Sequence, residues 1–240
     1  MAKPTIMSPD MVLATLEYRK GETRRLAGLE KINEDPSRWD YLGRTLNGAI
    51  FDINGNELKN HRSFLSREGQ YLVSYAPRLA EGDVVYVKEN YRLLDAYDSY
   101  SPLEAIKQAG IRQLLPAMVY EATQTAIAGY GKLRPSIHMP EALARIWLRI
   151  THVRAERLQD ITDQGCLAEG IQTFIDTAER MGYAASHNAR LFDTPRQAFA
   201  HLIDSVNKPG TWDFNPWVWV YQFEVLSTTG KPEGLEVAND

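Results

Sequence analysis

The sequence has little cysteine and no long apolar run. Cys166 is the only cysteine in 240 residues, so no disulfide can form within the chain, and nothing indicates an oxidising compartment. No apolar stretch approaches the ~20 residues that a membrane helix needs, and the N-terminus lacks the apolar core of a signal peptide. We therefore expect a cytoplasmic protein with no membrane partner.

Motifs that hold metals or phosphates are also absent. The five histidines show no His-x-x-x-His spacing, and one cysteine cannot make a Cys-x-x-Cys pair. The sequence contains no glycine-rich phosphate loop and no Gly-x-Ser-x-Gly turn of the serine hydrolases. We therefore expect neither a metal ion nor a cofactor.

Positive charge is not in excess either. The net charge of −4 argues against broad, sequence-blind binding to duplex nucleic acid, which needs many Lys and Arg contacts to phosphate. This net charge is still compatible with a small basic pocket that binds one nucleotide. Apolar and charged fractions of 44% and 24% are ordinary for a soluble globular protein.

The stretch Leu16–Arg25 concentrates ionisable side chains where a helix is expected to stop. It holds four cations, two carboxylates and a threonine. The helix before it is predicted from Ser8 as its cap and Pro9 at its first position. Gly21 fits just past its end, where a residue with positive φ is favoured.

Lys20, Thr23 and Arg25 are therefore expected on a tight turn, with their donors facing the neighbouring part of the protein. Charge runs are more often solvated, and cations at a helix C-terminus offset its macrodipole. Residue types alone thus favour a surface role for this stretch. By the same reasoning, Arg24 and Arg25 more often pair with local carboxylates than with a substrate.

Apolar patterning predicts further elements. Alternating apolar and polar residues over 145–153 are typical of a half-buried strand, and the near-continuous apolar run at 217–226 is typical of a central one. Asn54-Gly55 favours a hairpin turn. The predicted strands lie at 49–56, 70–75, 84–87, 145–153 and 217–226, and the predicted helices at 102–115, 117–128, 163–169 and 195–206.

The basic stretch resembles the signature of the ASCH domain, a PUA-like family, written Gly-x-Lys-x-x-Glu/Thr-x-Arg. Tyr18 stands in the glycine place and departs from the pattern, whereas Lys20, Thr23 and Arg25 fill the other three places. Further segments resemble phage and prophage ASCH-like proteins in the same order, and together they touch roughly half the chain. These segments are 82–88, 134–140, 145–153, 158–169 and 215–223.

The resemblance implies an α+β protein built on a small closed β-barrel flanked by helices. We expect a single domain over residues 1–226, in which residues 27–80 match poorly and residues 95–133 form a helical insertion over the barrel. Composition predicts a flexible tail at 227–240. A bacterial cytosolic location and a phage or prophage origin follow from the resemblance only.

Some ASCH proteins are amidohydrolases that remove the acetyl group from 4-acetylcytidine. In those enzymes the lysine and threonine of the signature work with a glutamate from a short helix, and the matching positions here are Lys20, Thr23 and Glu169. Lys20 is expected to act as base with its pKa lowered by neighbouring arginines, and Thr23 as nucleophile or water-positioner. Glu169, in a partly apolar pocket, is expected to act as acid/base.

Several other residues are predicted to bind the substrate, a modified nucleoside or RNA. They are Arg24, Arg25, Ser136, His138 and Asn215. A structural role for the histidine is the more frequent case for such a residue. Two alternatives to hydrolysis stay open at this point. One is a non-catalytic reader of RNA or of a modified base, and the other is a metal-independent ribonuclease.

Overall fold

A computed structural model of the chain describes residues 2–43, 54–58, 60–124, 128–175, 181–186 and 189–235. They form a mixed α+β structure. The strands are β1 (Lys3–Ile6), β2 (Glu22–Arg25), β3 (Trp39–Gly43), β4 (Arg62–Ser66), β5 (Leu72–Tyr75), β6 (Val84–Lys88), β7 (Tyr91–Arg92), β8 (Val119–Tyr120), β9 (Trp147–Arg157), β10 (Gln172–Ile175), β11 (Met181–Ala184) and β12 (Trp217–Ser227). The helices are α1 (Pro9–Leu16), α2 (Pro102–Ala109), α3 (Ile111–Leu114), α4 (Asp163–Ala168), α5 (Pro195–Val206) and α6 (Thr211–Phe214).

The chain divides into two compact units, each assembled from separate stretches of sequence. Unit 1 comprises residues 1–20, 83–149 and 224–240, and unit 2 comprises residues 21–82 and 150–223. Strands β9 and β12 each contribute residues to both units.

Unit 1 is built on strand β6. It pairs in parallel with β1 and antiparallel with the first residues of β9. The two-residue strands β7 and β8 follow β6 in the sequence and pair antiparallel with each other. The core of the unit consists of Tyr91, Leu93, Ala105, Leu114, Met118, Met139, Leu143 and Ala144.

The helical insertion predicted in this unit is only partly found. The helix expected at 102–115 is present but divides at Gly110, whose φ of 76° ends α2. The prediction of a helix at 117–128 is wrong for the described residues 117–124, because Val119–Tyr120 is strand β8.

Unit 2 contains one sheet with the order β9-β12-β2, a second with the order β3-β4-β5, and the pair β10-β11. Its core is formed by Leu158, Ile161, Cys166, Ile171, Ala198, Phe199, Ile203, Val218 and Val220. The predicted strand at 49–56 falls largely on residues 44–53, which lie outside the described residues. The strand expected at 70–75 is present as β5, and it pairs with β4.

The α+β class is confirmed, whereas no closed barrel is formed by the strands that the structure describes. In unit 1, β1 ends the sheet order, and in unit 2, β2 ends it; β3 and β5 are the edges of the second sheet. A closed barrel would instead pair the first and last strands of a sheet with each other.

The elements with local start signals agree with the sequence. Thr162 caps α4 by accepting a hydrogen bond from the Gly165 N–H, and Thr194 caps α5 in the same way. Strands β6, β9 and β12 lie where the apolar patterns predicted them, although β9 extends to Arg157. In β9, Leu148 and Ile150 are buried and Arg149 is exposed, as the alternation predicted.

The end of α1 differs from the prediction. Ser8 and Pro9 open the helix as expected, but it ends at Leu16, and Tyr18 rather than Gly21 takes the positive φ, 56°. The expected tight turn is also wrong, because Glu22–Arg25 is strand β2. Tyr18 thus adopts a left-handed conformation that glycine takes up more readily.

We predict that Tyr18→Gly stabilises the protein. The Tyr18 side chain is 70% exposed, so little packing is lost, and the left-handed conformation costs a residue with a Cβ atom about 1–2 kcal/mol. The greater entropy of glycine in the unfolded chain offsets part of the gain. We expect the free energy of unfolding, measured by urea titration, to rise by up to about 1 kcal/mol.

Tyr18→Ala is the matched control for this variant. It removes the ring but keeps the Cβ atom and its steric cost. Equal stabilisation by alanine and glycine would show that the aromatic ring, and not the backbone conformation, is the source of the cost.

Candidate functional site

Strand β2 directs its four side chains alternately to two faces. Glu22 and Arg24 share one face, and Thr23 and Arg25 share the other. In the antiparallel pairing with β12, Thr23 lies opposite Tyr221. Directly opposed residues have their side chains on the same face, about 5 Å apart at Cβ. Thr23 and Arg25 therefore share one environment, and Glu22 and Arg24 share another.

The N-terminal end of β2 contacts the C-terminal end of α4. The N–H of Gly21 donates to the carbonyl oxygen of Ala168 at 2.9 Å. Glu169 follows Ala168 as the cap residue of α4, and its side chain is buried. This backbone hydrogen bond brings the predicted glutamate beside the strand that carries the predicted threonine.

Arg24 is the centre of a buried ion cluster. Its side chain is 1% exposed and contacts three carboxylates, with N···O distances of 2.7 Å to Glu156, 3.2 Å to Glu22 and 3.2 Å to Glu169. Nε of Arg24 also donates to Oε1 of Glu156 at 2.8 Å. The hydrogen-bonding groups of Arg24 are therefore directed at carboxylates of the protein itself.

The cluster holds its charges despite burial. Burial lowers the pKa of Arg24, but Glu169, Glu156 and Glu22 outweigh it, so the pKa of Arg24 is raised. For Glu22 the directions are reversed, because burial raises the pKa of a carboxyl group. Gln222 donates a hydrogen bond to Glu22 at 2.7 Å, and this bond and the neighbouring guanidinium groups together lower the pKa by more than burial raises it. Buried charges are tolerated only when partners of this kind surround them.

Arg154 extends the cluster on strand β9. It contacts Glu22 at 3.4 Å and Glu156 at 3.1 Å. Arg154 and Glu156 alternate along β9 with the buried residues Val153 and Ala155. Neither Arg154 nor Glu156 was predicted as a site residue. The pattern that could have indicated them is a pair of opposite charges at alternate positions of one strand.

The opposite face of β2 carries Thr23 and Arg25 beside Tyr221. Thr23 and Tyr221 are buried, and Arg25 is half-buried. The backbone N–H groups of Leu79 and Arg78 and the positive charges of Arg25 and Arg78 act to lower the pKa of Tyr221. Burial raises the pKa of Tyr221, so its hydroxyl stays protonated and can donate.

Arg25 has charges of both signs as neighbours. Burial lowers its pKa, the charges of Glu169 and Tyr221 oppose that change, and the positive charge of Arg78 lowers the pKa further. Glu169 therefore acts on Arg25 as well as on Arg24. Its surroundings are guanidinium groups, which differ from the partly apolar pocket expected from the sequence.

Lys20 is the last residue of unit 1 and directly precedes Gly21. Its side chain is among the largest that are fully buried, with 2% of the residue exposed. Its backbone N–H donates to the carbonyl of Ala14 at 3.0 Å, which fixes the chain after α1. An ammonium group so withdrawn from water is unusual for lysine.

The other predicted substrate-binding residues are divided between the units. Ser136 and His138 lie in unit 1, in a short 3-10 helix rather than an extended segment, and His138 is exposed. The Ser136 N–H donates to Asn90 Oδ1 at 2.8 Å. Asn215 lies in unit 2, where its Oδ1 accepts the Gln159 N–H at 2.8 Å and so holds the chain beyond β9.

Unit 2 also contains an open pocket with a volume of about 370 Å³. Its walls are mostly apolar, and its lining residues include Leu26, Phe214 and Pro216, with Glu30 and Lys208 as charged groups. None of the residues predicted to be catalytic lines it. Sequence reasoning gave no signal for this pocket.

Comparisons with known proteins found no matching family model, no matching curated protein and no matching solved structure. In the part of the chain that the structure describes, no group of three or more His, Cys, Asp or Glu side chains is arranged to hold a metal ion. The described helices are all too short or too polar to cross a bilayer.

We predict that Gly165→Ala disrupts the ion cluster. Alanine normally stabilises a helix by about 1 kcal/mol relative to glycine. Here the added Cβ would lie 2.9 Å from Ile161 Cγ1 and 3.2 Å from Arg24 Nη2, so neighbouring groups must move. We expect a net loss of about 1–3 kcal/mol in the free energy of unfolding, measured by denaturant titration.

Gly21→Ala is the control, because a Cβ at Gly21 meets no atom within 4 Å. It should change stability much less. A stabilising effect of Gly165→Ala would contradict the tight approach of Arg24 to α4.

A second prediction concerns acid stability. Because the pKa of Glu22 is lower in the folded protein than its usual 4.5, its contribution is present above about pH 4.5 and is lost as the pH falls through the folded-state pKa. Glu22→Gln should therefore make the loss of stability between about pH 5 and pH 3 shallower. Free energies of unfolding measured across this range test the sign.

Glu68→Gln serves as the control, since that carboxylate is 60% exposed. It should leave the slope nearly unchanged. An equal slope for wild type and Glu22→Gln would contradict the proposed stabilisation of the ionised form.

Proposed function

We propose that this protein hydrolyses the exocyclic amide of an acylated cytidine or a related modified nucleobase, in a PUA-like pocket at strand β2. The observation that carries the proposal is the contact between β2 and α4. It joins the strand of Thr23 to the helix end of Glu169, although the two residues are far apart in sequence. Both side chains are buried, as groups that work in a water-poor site must be.

The residue types suit amide hydrolysis. In the first step, the Thr23 oxygen or a water molecule that it holds attacks the acyl carbon, and a base takes the proton released. The C–N bond then breaks and the cytidine amine leaves with that proton. Where water is the attacking group, the acyl group leaves at once as a carboxylic acid. Where Thr23 attacks, a water molecule then hydrolyses the acyl–Thr23 ester, which releases the acid and restores the hydroxyl. Lys20 is assigned as the base, and Glu169 as the second group that accepts and returns a proton.

Arg24 is assigned a positioning role. Its guanidinium is bound by three carboxylates, so it orients Glu169 rather than the substrate. Arg25, on the face of Thr23, stays the arginine assigned to the substrate.

A non-catalytic reader is the second candidate. The observation that favours it is the ion pair between Glu169 and Arg24, because a carboxylate held in this way is less available as a proton donor. The same buried face of β2 would then bind a modified base without changing it. The net charge of −4 favours a single nucleoside or a short RNA segment over a long one in either case.

Turnover of a panel of 4-acylated cytidines tests the proposal. The wild type should release cytidine, and Lys20→Ala, Thr23→Val and Glu169→Gln should each lower the rate at least about 100-fold, as expected for loss of a group that transfers a proton or attacks the substrate. Product release can be followed by chromatography. Thermal unfolding of each variant separates loss of chemistry from loss of fold.

Lys132→Ala and Glu68→Gln are matched controls, since both residues are exposed. Saturable nucleoside binding with no product would favour the reader over the enzyme. Scission of RNA without added metal would favour a nuclease. Absence of both binding and turnover would overturn the proposed class of substrate.

A further inference from the structure

The open pocket of unit 2 is built from separate stretches of the chain. Leu26 and Glu30 come from the segment that follows β2, further residues come from 208–214 at the end of α5 and in α6, and Pro216 directly precedes β12. Its volume of about 370 Å³ lies towards the lower end of the range for small-molecule sites, about 300–1,000 Å³. The pocket is therefore of a size that suits a small ligand.

Side-chain hydrogen bonds fix the walls of this pocket. Asn33 accepts the Trp217 N–H at 2.7 Å and donates to the Trp217 carbonyl at 2.9 Å, which ties the segment after β2 to β12. Asp204 of α5 accepts the N–H groups of Gly210 at 3.2 Å and Trp212 at 2.8 Å, which ties α5 to α6. Walls that are already fixed lose little conformational entropy when a ligand binds.

The neutral polar side chains of the pocket are engaged within the protein. Asn33 uses its amide oxygen and nitrogen on Trp217. The Thr211 hydroxyl donates to the Lys208 carbonyl at 2.7 Å and accepts the Lys208 N–H at 3.3 Å. Among the described lining residues, this leaves Glu30 and Lys208 as the polar side chains. A ligand therefore finds its side-chain polar partners in one carboxylate and one ammonium group.

Glu30 and Lys208 present opposite charges at this pocket. Glu30 accepts the Gly28 N–H at 2.9 Å, and this hydrogen bond lowers the pKa of Glu30, so the carboxylate is ionised at neutral pH. Both side chains are exposed, and neither forms an ion pair with another described residue. Since Glu30 and Lys208 do not pair with each other, both charges are open to a ligand, and their sum favours one with no net charge.

Apolar side chains supply most of the remaining wall. Leu26 and Pro216 line the pocket together with Phe214, whose side chain is 53% exposed. An aromatic ring with this much surface in water gains free energy when an apolar group covers it. A ligand that fits the pocket therefore combines an apolar body with one positive and one negative group.

We propose that this pocket binds a free amino acid with a large apolar side chain. The ammonium group of the ligand pairs with Glu30, its carboxylate pairs with Lys208, and its side chain packs against Phe214. A phosphate-bearing ligand suits the pocket less well, because Glu30 repels it. The proposal does not rest on the proposed hydrolysis, since none of the residues assigned to that reaction lines this pocket.

Isothermal titration calorimetry with L-phenylalanine and two truncated analogues tests the assignment. Phenethylamine lacks the carboxylate, and 3-phenylpropionate lacks the ammonium group. Each analogue should bind about two- to fivefold more weakly than L-phenylalanine, the size expected for one exposed ion pair. Raised salt should reduce both differences, because exposed charges are screened.

Single substitutions assign each charged group of the ligand to its partner. Lys208→Gln should remove the preference for L-phenylalanine over phenethylamine, and Glu30→Gln should remove its preference over 3-phenylpropionate. Phe214→Ala should weaken all three compounds. Because these side chains are exposed, the variants should keep their fold, which thermal unfolding checks.

Lys31→Gln is the matched control, because Lys31 is also exposed and adjoins Glu30 in sequence but does not line the pocket. It should leave both preferences intact. Preferences that persist in Lys208→Gln and Glu30→Gln would overturn the proposal.

N-acetyl-L-phenylalaninamide carries the same side chain without either charge. Binding of this compound as tightly as L-phenylalanine would overturn the proposal and assign the pocket to an apolar side chain of a peptide. The absence of saturable binding of L-phenylalanine, L-leucine and L-tryptophan would overturn it as well. These measurements need no turnover, so failure of the proposed hydrolysis leaves their result unchanged.

Discussion

The buried guanidinium of Arg24 is the constraint on which unit 2 depends. Its partners come from three places: Glu22 on the same strand, Glu156 on β9 and Glu169 after α4. Removing one partner from a buried ion pair costs about 3–5 kcal/mol, because a charge is then left without compensation. The strands and the helix must therefore assemble together around Arg24.

One carboxylate belongs both to this cluster and to the proposed reaction. Glu169 contacts Arg24 on one side of β2, and its charge also acts on Arg25, whose side chain belongs to the other face. Substitutions that improve packing around Arg24 would therefore also alter the field at Thr23. Sites that combine both tasks commonly trade stability against activity.

The elements that the sequence predicts well are those with local causes. Caps at Thr162 and Thr194 and the apolar run of β12 are local features, and the structure confirms each. Strand β2 has no such cause, because Glu-Thr-Arg-Arg is extended only through pairing with β12 and through partners about 130 residues or more away. For the same reason Glu169 entered the candidate site only through a family resemblance. Tyr221 had no signal as a site residue, since only the strand register places it opposite Thr23.

The division of β12 between the units affects how the protein folds during synthesis. Unit 2 requires residues up to 223 and unit 1 requires residues from 224 onward, so neither unit is complete when the first half of the chain has left the ribosome. Domains usually fold in order from the N-terminus as they emerge. Here the early segments, including the partly apolar strand β1, must wait for later ones, and this gives ribosome-associated chaperones a period in which to bind them.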